Sequence, residues 1–586
     1  HTLAASRLSI PLRSRSSSSH VGQARRTGAM APSGLVWSLL YPALFLAGGA
    51  IAYESCSAAD RDLTQVECNQ GEWDCAYCGI SKKAKATTCA DYHGADAPLE
   101  GQVWIVIVGG IVGCLMAFAI GGNDAANSWG TAVGAGAITC VHACLLGGVG
   151  EFLGATLMGY GVSGTIQQGV SKPTELNCWA CGRCDSKMVM YQFGMLGALC
   201  GAAFFLIGIT WCGIPVSTTH AIVGGVVGMT VASIGWGCLN WGVVGGLGGI
   251  ILSWVISPLL AGLIGVLMYL ATYYIVFKAR DPLKRAYFTV PILYGLITAV
   301  LSFLVMVKSK ATKGLPIGYK LIIAAVSFVV MLLAAQFLVM PTVRKQVSEM
   351  RSEANSQNSG ASSSTGTGSM DLAQDAPSEP PSRSDLPVSN EQKPPDEEVP
   401  TPKGMALFSL TVPTQEQLMA RKTFQMLLIY TAFLESFAHG SNDTANATGP
   451  FTAIWSTYHD GRYACAGEYT PWYIMAIAGA FVALGVNVFG YRVIKTMGER
   501  ITQVDYHLAF CTEFASAFAV ITGTMTNMPI STTHCQVGAV VFIGAVASGF
   551  RNVSWPMFGQ IALSWAVTLP ISGGVAALMI FFRFFI

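Results

Sequence analysis

Two aspartates stand where an apolar chain has little use for them. Asp124 lies in GGNDAANSWGT (residues 121–131), behind the apolar run 103–120, and Asp443 lies in GSNDTANATG (440–449), behind another apolar stretch. A carboxylate in a low-dielectric setting must find a cation or take up a proton, so each aspartate predicts an ion site. Asn123, Asn127, Asn442 and Asn446 flank the two acids and offer the hard carbonyl oxygens that a small cation takes as ligands. Gly121 and Gly122 make the first segment easy to break. A polar group bonding across a helix interface is the plainer account, but a lone asparagine would do that without an acid.

A second pair of motifs follows at matching distance. PVSTTH ends at His220, 96 residues after Asp124, and PISTTH ends at His534, 91 residues after Asp443. Pro215 and Pro529 each head a short segment rich in Ser and Thr, read as a re-entrant hairpin. A helix starting there turns its free backbone N–H groups and the positive end of its dipole toward an anion. Ser217, Thr218, Thr219, Ser531, Thr532 and Thr533 add neutral hydroxyls suited to a tetrahedral oxyanion that must also be released. Helix capping by the same residues is the alternative. His220 and His534 are read either as proton sensors or substrate donors, or as histidines satisfied within the hairpins. Glu151 and Glu513 fall inside apolar spans with no acid at the matching place in the other half, and Glu435, in FLESFAHGSND, is a further buried-acid candidate.

The elements that carry these residues are membrane helices. With 52% hydrophobic and only 11% charged residues among 586, and a mean hydropathy of +0.50, the chain is too apolar for a soluble domain, whose charged share is about 25%. A net charge of +2, with no basic stripe interleaved with aromatics, argues against nucleic acid as a partner. The 65 glycines suit helices that pack closely in lipid. A window near 19 residues predicts an all-α polytopic membrane protein of about 12 segments. It separates 238–257 from 259–277, and it breaks the segments 103–135 and 423–454 at their polar motifs.

The resulting organisation has five parts. Residues 1–52 read as an Arg- and Ser-rich leader with a signal peptide or signal anchor, and 53–101 as a cysteine-rich extracellular loop. The membrane halves are 102–341 and 421–586, joined by a largely disordered cytoplasmic linker, 342–420, whose centre is Ser, Gly, Pro and acid. Basic loops at Lys278–Arg285, at Arg344–Arg351 and at Arg492–Arg500 belong in the cytoplasm. Cys56, Cys68, Cys75, Cys78, Cys89, Cys178, Cys181 and Cys184 then fall on the opposite face, as disulfides or, from their CxxC spacing, a zinc site. The first Asp-bearing segment starts outside and the second inside, so the repeats are inverted, a pattern of secondary transporters with broken helices.

With these four motifs in order, the sequence resembles the PiT family of inorganic phosphate transporters, over about 103–341 and 421–586. The resemblance implies a carrier and no enzyme: sodium-coupled symport of inorganic phosphate into the cytoplasm by alternating access. Sodium is the co-transported ion and no organic cofactor is expected. By resemblance Asp124 and Asp443 are the cation-linked aspartates and the hydroxyls of both STT triplets hold phosphate; from their place in the motifs, Asn127 and Asn446 are assigned to the cation and Asn123 and Asn442 to phosphate. Glu151 and Glu513 match glutamates that animal members need for transport, and His220 and His534 join them as transport candidates. A multi-pass protein of the plasma membrane, in contact with lipid and able to form a homodimer, is the expected setting. Proton coupling, another oxyanion, or a phosphate-binding channel or receptor are the alternatives.

Overall fold

The structure is a computed structural model that describes residues 102–582, apart from 176, 182–186, 310–311, 313, 364–413, 461–469 and 501–504. The leader, the five cysteines of 53–101 and Cys184 lie outside the described residues. Those described are almost wholly helical, with one isolated bridge between Ser171 and Leu239.

The first half comprises α1 (Val103–Gly134), α2 (Cys140–Met158), α3 (Tyr160–Gln168), α4 (Met188–Trp211), α5 (Thr218–Ile234) and α6 (Leu247–Thr272). Three helices without counterpart follow: α7 (Pro282–Lys308), α8 (Ile317–Ala334) and α9 (Met340–Ser363). After the short α10 (Gln415–Lys422), the second half comprises α11 (Gln425–Asp443), α12 (Ala445–Asp460), α13 (Trp472–Arg500), α14 (Tyr506–Met525), α15 (Thr532–Ser548) and α16 (Trp555–Phe582). Among the described residues nine helices are long and apolar enough to cross a membrane, while α5 and α15 are shorter and apolar. Their outward faces carry large apolar side chains such as Leu263, Val330 and Leu563, as lipid-facing surfaces require.

The halves run in opposite senses. Gln425, at the start of α11, donates to Ala137 O just past the end of α1 (2.8 Å). At the other end Trp104, opening α1, packs edge-on against Phe193, and the neighbouring Gln192 donates to Ile454 O on α12 at 3.0 Å. The turns repeat as well: Gly213 (φ +70°) and Asn527 (φ +55°) precede the STT segments, and Gly235 (φ +96°) and Gly549 (φ +94°) end the helices after them. Only glycine adopts such angles freely, with asparagine the usual substitute.

Close crossings explain part of the glycine usage. A Cβ on Gly121 would lie 1.9 Å from Val482 O of α13, and one on Gly485 would lie 1.9 Å from Phe118 O of α1. At the equivalent crossing of α2 and α11, a Cβ on Gly154 would lie 2.0 Å from Phe437 O and one on Gly440 would lie 2.2 Å from Glu151 O. Backbone thus meets backbone on both sides of the site, the association mode that small residues permit in lipid.

Three expectations change. α1 runs unbroken through GGNDAANSWGT, because Gly121 and Gly122 serve packing against α13 instead of opening the helix; only the second motif is interrupted, at Thr444 between α11 and α12. The spans expected at 238–257 and 259–277 are one element: α6 carries Pro258 in its interior and continues through a π turn to Phe277. The early part of the linker is helical, since α9 extends to Ser363, and Arg351 lies 3.9 Å from Glu416 of α10.

The disulfide expectation is also modified. Cys178 bonds to Cys238, beyond α5, and Cys181 is disulfide-bonded too. Cys238 is not among the cysteines expected to pair, because its hydropathy places it at the head of the span 238–257. It instead ends a 3-10 turn, Trp236–Cys238, beside the α3–α4 connection.

Candidate functional site

The four motifs meet at one place, and they meet crosswise. Asn123 of α1 donates to Thr210 Oγ1 and Ile214 O, both at 3.0 Å, and accepts from Val216 N at 2.9 Å. Asn442 of α11 makes the same set in the second half, to Thr524 Oγ1 (3.2 Å) and Met528 O (3.3 Å), accepting from Ile530 N (3.4 Å). Each asparagine therefore fastens the extended entry of its own hairpin. Both were expected as phosphate ligands; in this structure their amides bond two backbone groups and one threonine hydroxyl each.

The aspartates join the halves. Thr218 donates to Asp124 Oδ2 at 2.9 Å and Thr532 to Asp443 Oδ2 at 2.6 Å, each within its own half. The asparagines of the other pair then cross over: Asn127 donates to Asp124 Oδ1 (3.2 Å) and to Thr532 and Thr533 (3.2 and 3.0 Å), while Asn446 donates to Asp443 Oδ1 (3.2 Å) and to Thr218 and Thr219 (3.2 and 3.3 Å). Thr219 donates to Ile530 O (3.0 Å) and Thr533 to Val216 O (3.2 Å), again across the halves. Two copies of one constellation thus interlock about a pseudo-two-fold axis.

Ser217 and Ser531 play a different part. Each caps its helix, accepting from His220 N and His534 N respectively at 3.3 Å. That is the capping alternative for these two hydroxyls, while the four threonines turn to carboxylates, amides and the opposite hairpin. Beyond the caps, the first turns of α5 and α15 still leave N–H groups that no helical carbonyl can take.

His220 and His534 do not join the carboxylates through any hydrogen bond among the described residues. Their rings lie 4.7 Å apart between Trp254 (3.9 Å from His220) and Trp565 (3.8 Å from His534), and His534 Nδ1 meets Trp254 O at 2.9 Å. They pack the two hairpins against each other and against α6 and α16.

The imidazole that does reach the acids is His439, which belongs to none of the four motifs. Its Nδ1 is 2.7 Å from both oxygens of Glu151, and its Nε2 is 3.0 Å from Asp443 Oδ2 and 3.3 Å from Asp124 Oδ2. The usable signal was its position: four residues before Asp443 on a helix, on the same face. Glu513 is placed apart, accepting from Gln536 (2.9 Å) and from Thr131.

Of the Asp, Glu, Asn, Gln, His, Ser and Thr side chains named here, none except Thr131 is more than 3% exposed, while Trp254 and Trp565 are half-buried. Ligand atoms of Asp124, His439 and Asp443 lie within 4.8 Å of one another, close enough to share one ion. Asn127 Oδ1 and Asn446 Oδ1 have no hydrogen-bond partner among the described residues. Buried carboxylates ringed by hydroxyl and amide oxygens form a hard-oxygen donor set, suited to an alkali or similar cation and unsuited to a soft one. Two helix N-termini converging on the same place supply the complementary feature, a field that favours an anion.

The chain is similar in sequence and fold to known proteins. The model of the phosphate transporter family matches residues 120–576. A chloroplastic inorganic phosphate transporter of Arabidopsis thaliana is 30% identical over 471 residues, covering 80% of this chain and 70% of its own. The phosphate-repressible phosphate permease of Neurospora crassa is 26% identical over 576 residues, covering 80% and 95%. Among solved structures, a sodium-dependent phosphate transporter superposes with a TM-score of 0.63 at 29% identity, over 82% of this chain and 100% of that one. A family match across all four motifs and both halves, on a fold shared with a solved carrier, makes this chain a member of the phosphate transporter family.

Proposed function

We propose that the chain is a symporter that brings inorganic phosphate into the cytoplasm together with sodium across the plasma membrane. The crossed Asp–Asn–Thr constellation is the observation that supports this most directly. Each aspartate is bonded by threonines of both hairpins, Asp443 receiving Thr532 and lying 3.4 Å from Thr219, Asp124 receiving Thr218 and lying 3.4 Å from Thr533. A cation at either aspartate therefore touches both halves, and neutralising the two carboxylates lowers the electrostatic cost of bringing an anion to the adjacent helix N-termini.

Asp124 with Asn127 and Asp443 with Asn446 are the cation-holding pairs, their orphaned amide oxygens completing the oxygen set. The threonine hydroxyls and the first-turn N–H groups of α5 and α15 take phosphate, with Ser217 and Ser531 holding those turns in shape. Asn123 and Asn442 are positioning residues. Alternating access follows from the interlock: an inverted pair of halves can rock about a shared centre, and only ligands with different affinity for the two states move that equilibrium.

Proton coupling is the second reading, because His439 sets one imidazole against three carboxylates, Glu151, Asp124 and Asp443. Uptake of radiolabelled phosphate into proteoliposomes, under an imposed sodium gradient and separately under a proton gradient, decides between them. Sodium-driven accumulation that Asp124→Asn abolishes supports the symporter. Accumulation driven by protons alone moves the assignment to His439, and downhill flux without accumulation is the behaviour of a channel.

A further inference from the structure

The two halves differ in what continues beyond their aspartates. Past Asp443 a hydroxyl recurs at every fourth position, Thr444, Thr448, Thr452 and Ser456, from the interruption between α11 and α12 to the last turns of α12. Thr444 keeps helical backbone angles, so the four share one face and form a stripe about 18 Å long at 1.5 Å per residue. α3 and the start of α13 meet this stripe with polar groups of their own. Thr448 donates to Ser163 Oγ (3.4 Å) and Thr452 to Thr470 Oγ1 (3.0 Å), the hydroxyls of Ser163 and Thr470 are 2.5 Å apart, and Gln167 Nε2 donates to Ser456 Oγ (3.4 Å). None of these seven side chains is more than 5% exposed.

Hydroxyls that hold two helices together in lipid are the plainer account, and three observations go beyond it. At the pseudo-symmetric places after Asp124 stand Ala125, Trp129 and Val133, so the first half packs the same face of α1 without a hydroxyl. The stripe is also incomplete: Thr444 Oγ1, at its inner end beside Asp443, and Gln167 Oε1, at its outer end, are buried with no hydrogen-bond partner among the described residues. A buried polar group left unpaired costs about 1–3 kcal/mol, which a solute or water entering the stripe recovers. Finally, α12 is the more easily displaced helix. It is interrupted from α11 at Thr444 and carries Pro450, which cannot donate to Asn446 O one turn back, whereas α1 is unbroken and has no proline.

We propose that the stripe is the extracellular access route to the paired aspartates, and that α12 parts from α3 to open it to a tetrahedral oxyanion and its cation. The inference rests on the transport reading given above. The outer end of the route is extracellular because α3 leads into Ser171, which bridges to Leu239 beside the disulfide-bonded Cys238, on the face opposite the basic loops. Hydroxyl and amide groups both donate and accept, so they replace water around an anion as well as a cation. No charged side chain stands among the seven, and neither ion is held on the way. Closed as here, the hydroxyls bond one another, and an entering solute exchanges those bonds for its own.

The test places single cysteines in the full chain at Thr448, Thr452 and Ser456 and treats right-side-out and inside-out membrane vesicles with an impermeant methanethiosulfonate. Peptide mass spectrometry identifies the labelled position, so the native cysteines do not interfere. Thr452→Cys and Ser456→Cys label about tenfold faster in right-side-out vesicles than in inside-out ones, and phosphate with sodium slows labelling of Thr448→Cys. Val133→Cys, at the matching place in the first half, stays unlabelled from outside. Thr452→Val, nearly the same volume without the hydroxyl, lowers the initial rate of uptake about threefold or more while phosphate binding to the purified chain stays within about twofold. Labelling of all three cysteines no faster than that of Val133→Cys overturns the route, as does a Thr452→Val that melts at a lower temperature yet takes up phosphate at the wild-type rate. Labelling in the expected pattern with uptake that sodium does not drive overturns the symport reading and leaves the route standing; sodium-driven uptake with an unlabelled stripe does the reverse.

Discussion

Replacing Thr532 by Val removes one hydroxyl and almost no volume, and the structure fixes what is lost. Thr532 Oγ1 donates to Asp443 Oδ2 at 2.6 Å and accepts from Asn127 Nδ2 at 3.2 Å, in a region excluded from water. A hydrogen bond to a charged group contributes about 1.5–3 kcal/mol, and a buried donor left behind on Asn127 keeps only its bond to Thr533 and Asp124. If the carboxylate must be held in place to receive a cation, the sodium concentration for half-maximal phosphate uptake rises about 10- to 150-fold, the equivalent of that energy. Thr218→Val, which loses 2.9 Å and 3.2 Å bonds at the symmetric place, has an effect of the same order. Because Asn446 bonds both Thr218 and Asp443, the two substitutions share a network, and the double variant departs from additivity by roughly 0.5 kcal/mol or more. The assay is the sodium dependence of uptake in proteoliposomes, with melting temperature as the control for folding. Sodium dependence unchanged within about twofold in both single variants would refute the idea that the crossed threonines position the cation site.

Other perturbations follow from the same geometry. His439→Gln leaves Glu151 and two aspartates facing each other without their common partner; breaking such a buried set costs about 3–5 kcal/mol, read as a tenfold or greater loss of uptake and a lower melting temperature. Ser217→Ala loses a helix cap alone, about 1 kcal/mol of stability, with far less effect on sodium dependence than Thr218→Val. Gly485→Ala forces a Cβ to within 1.9 Å of Phe118 O and separates α1 from α13; size-exclusion profiles and melting in detergent should show loss of the folded-protein peak, and a normal profile would mean that the crossing has room to relax. Cys178→Ser opens a 60-residue loop and lowers stability by up to about 4 kcal/mol, read as a lower melting temperature under non-reducing conditions; an unchanged melting temperature would mean the bond does not constrain the unfolded chain.

The four motifs, their order and the inverted sense of the halves were legible in the sequence because each is local. An acid in an apolar run, a proline ahead of Ser and Thr, and a change of loop charge need no tertiary information. Asp124, Asp443 and the four threonines were found on that basis, and the structure brings them together. What the sequence could not give is direction. GGNDAANSWGT contains the residues that break helices, yet α1 stays whole, since a glycine pair reads identically whether it bends a chain or admits a neighbour, and only the position of Val482 and Phe489 decides which.

The same limit governs polar partners. Asn123 and Asn127 are four residues apart in one motif, but one is committed to backbone and the other crosses between the halves. His439 and His220 are both histidines beside a motif; α11 turns the first toward three carboxylates, while the stack of Trp254 and Trp565 holds the second away from them. Composition and spacing determined that this chain lies in a membrane as two inverted halves with a polar centre of acids, amides and hydroxyls. Which oxygens face which, and that Glu151 meets His439 while Glu435 and Glu513 find other partners, was decided by long-range packing between segments up to about 400 residues apart, a quantity no local pattern encodes.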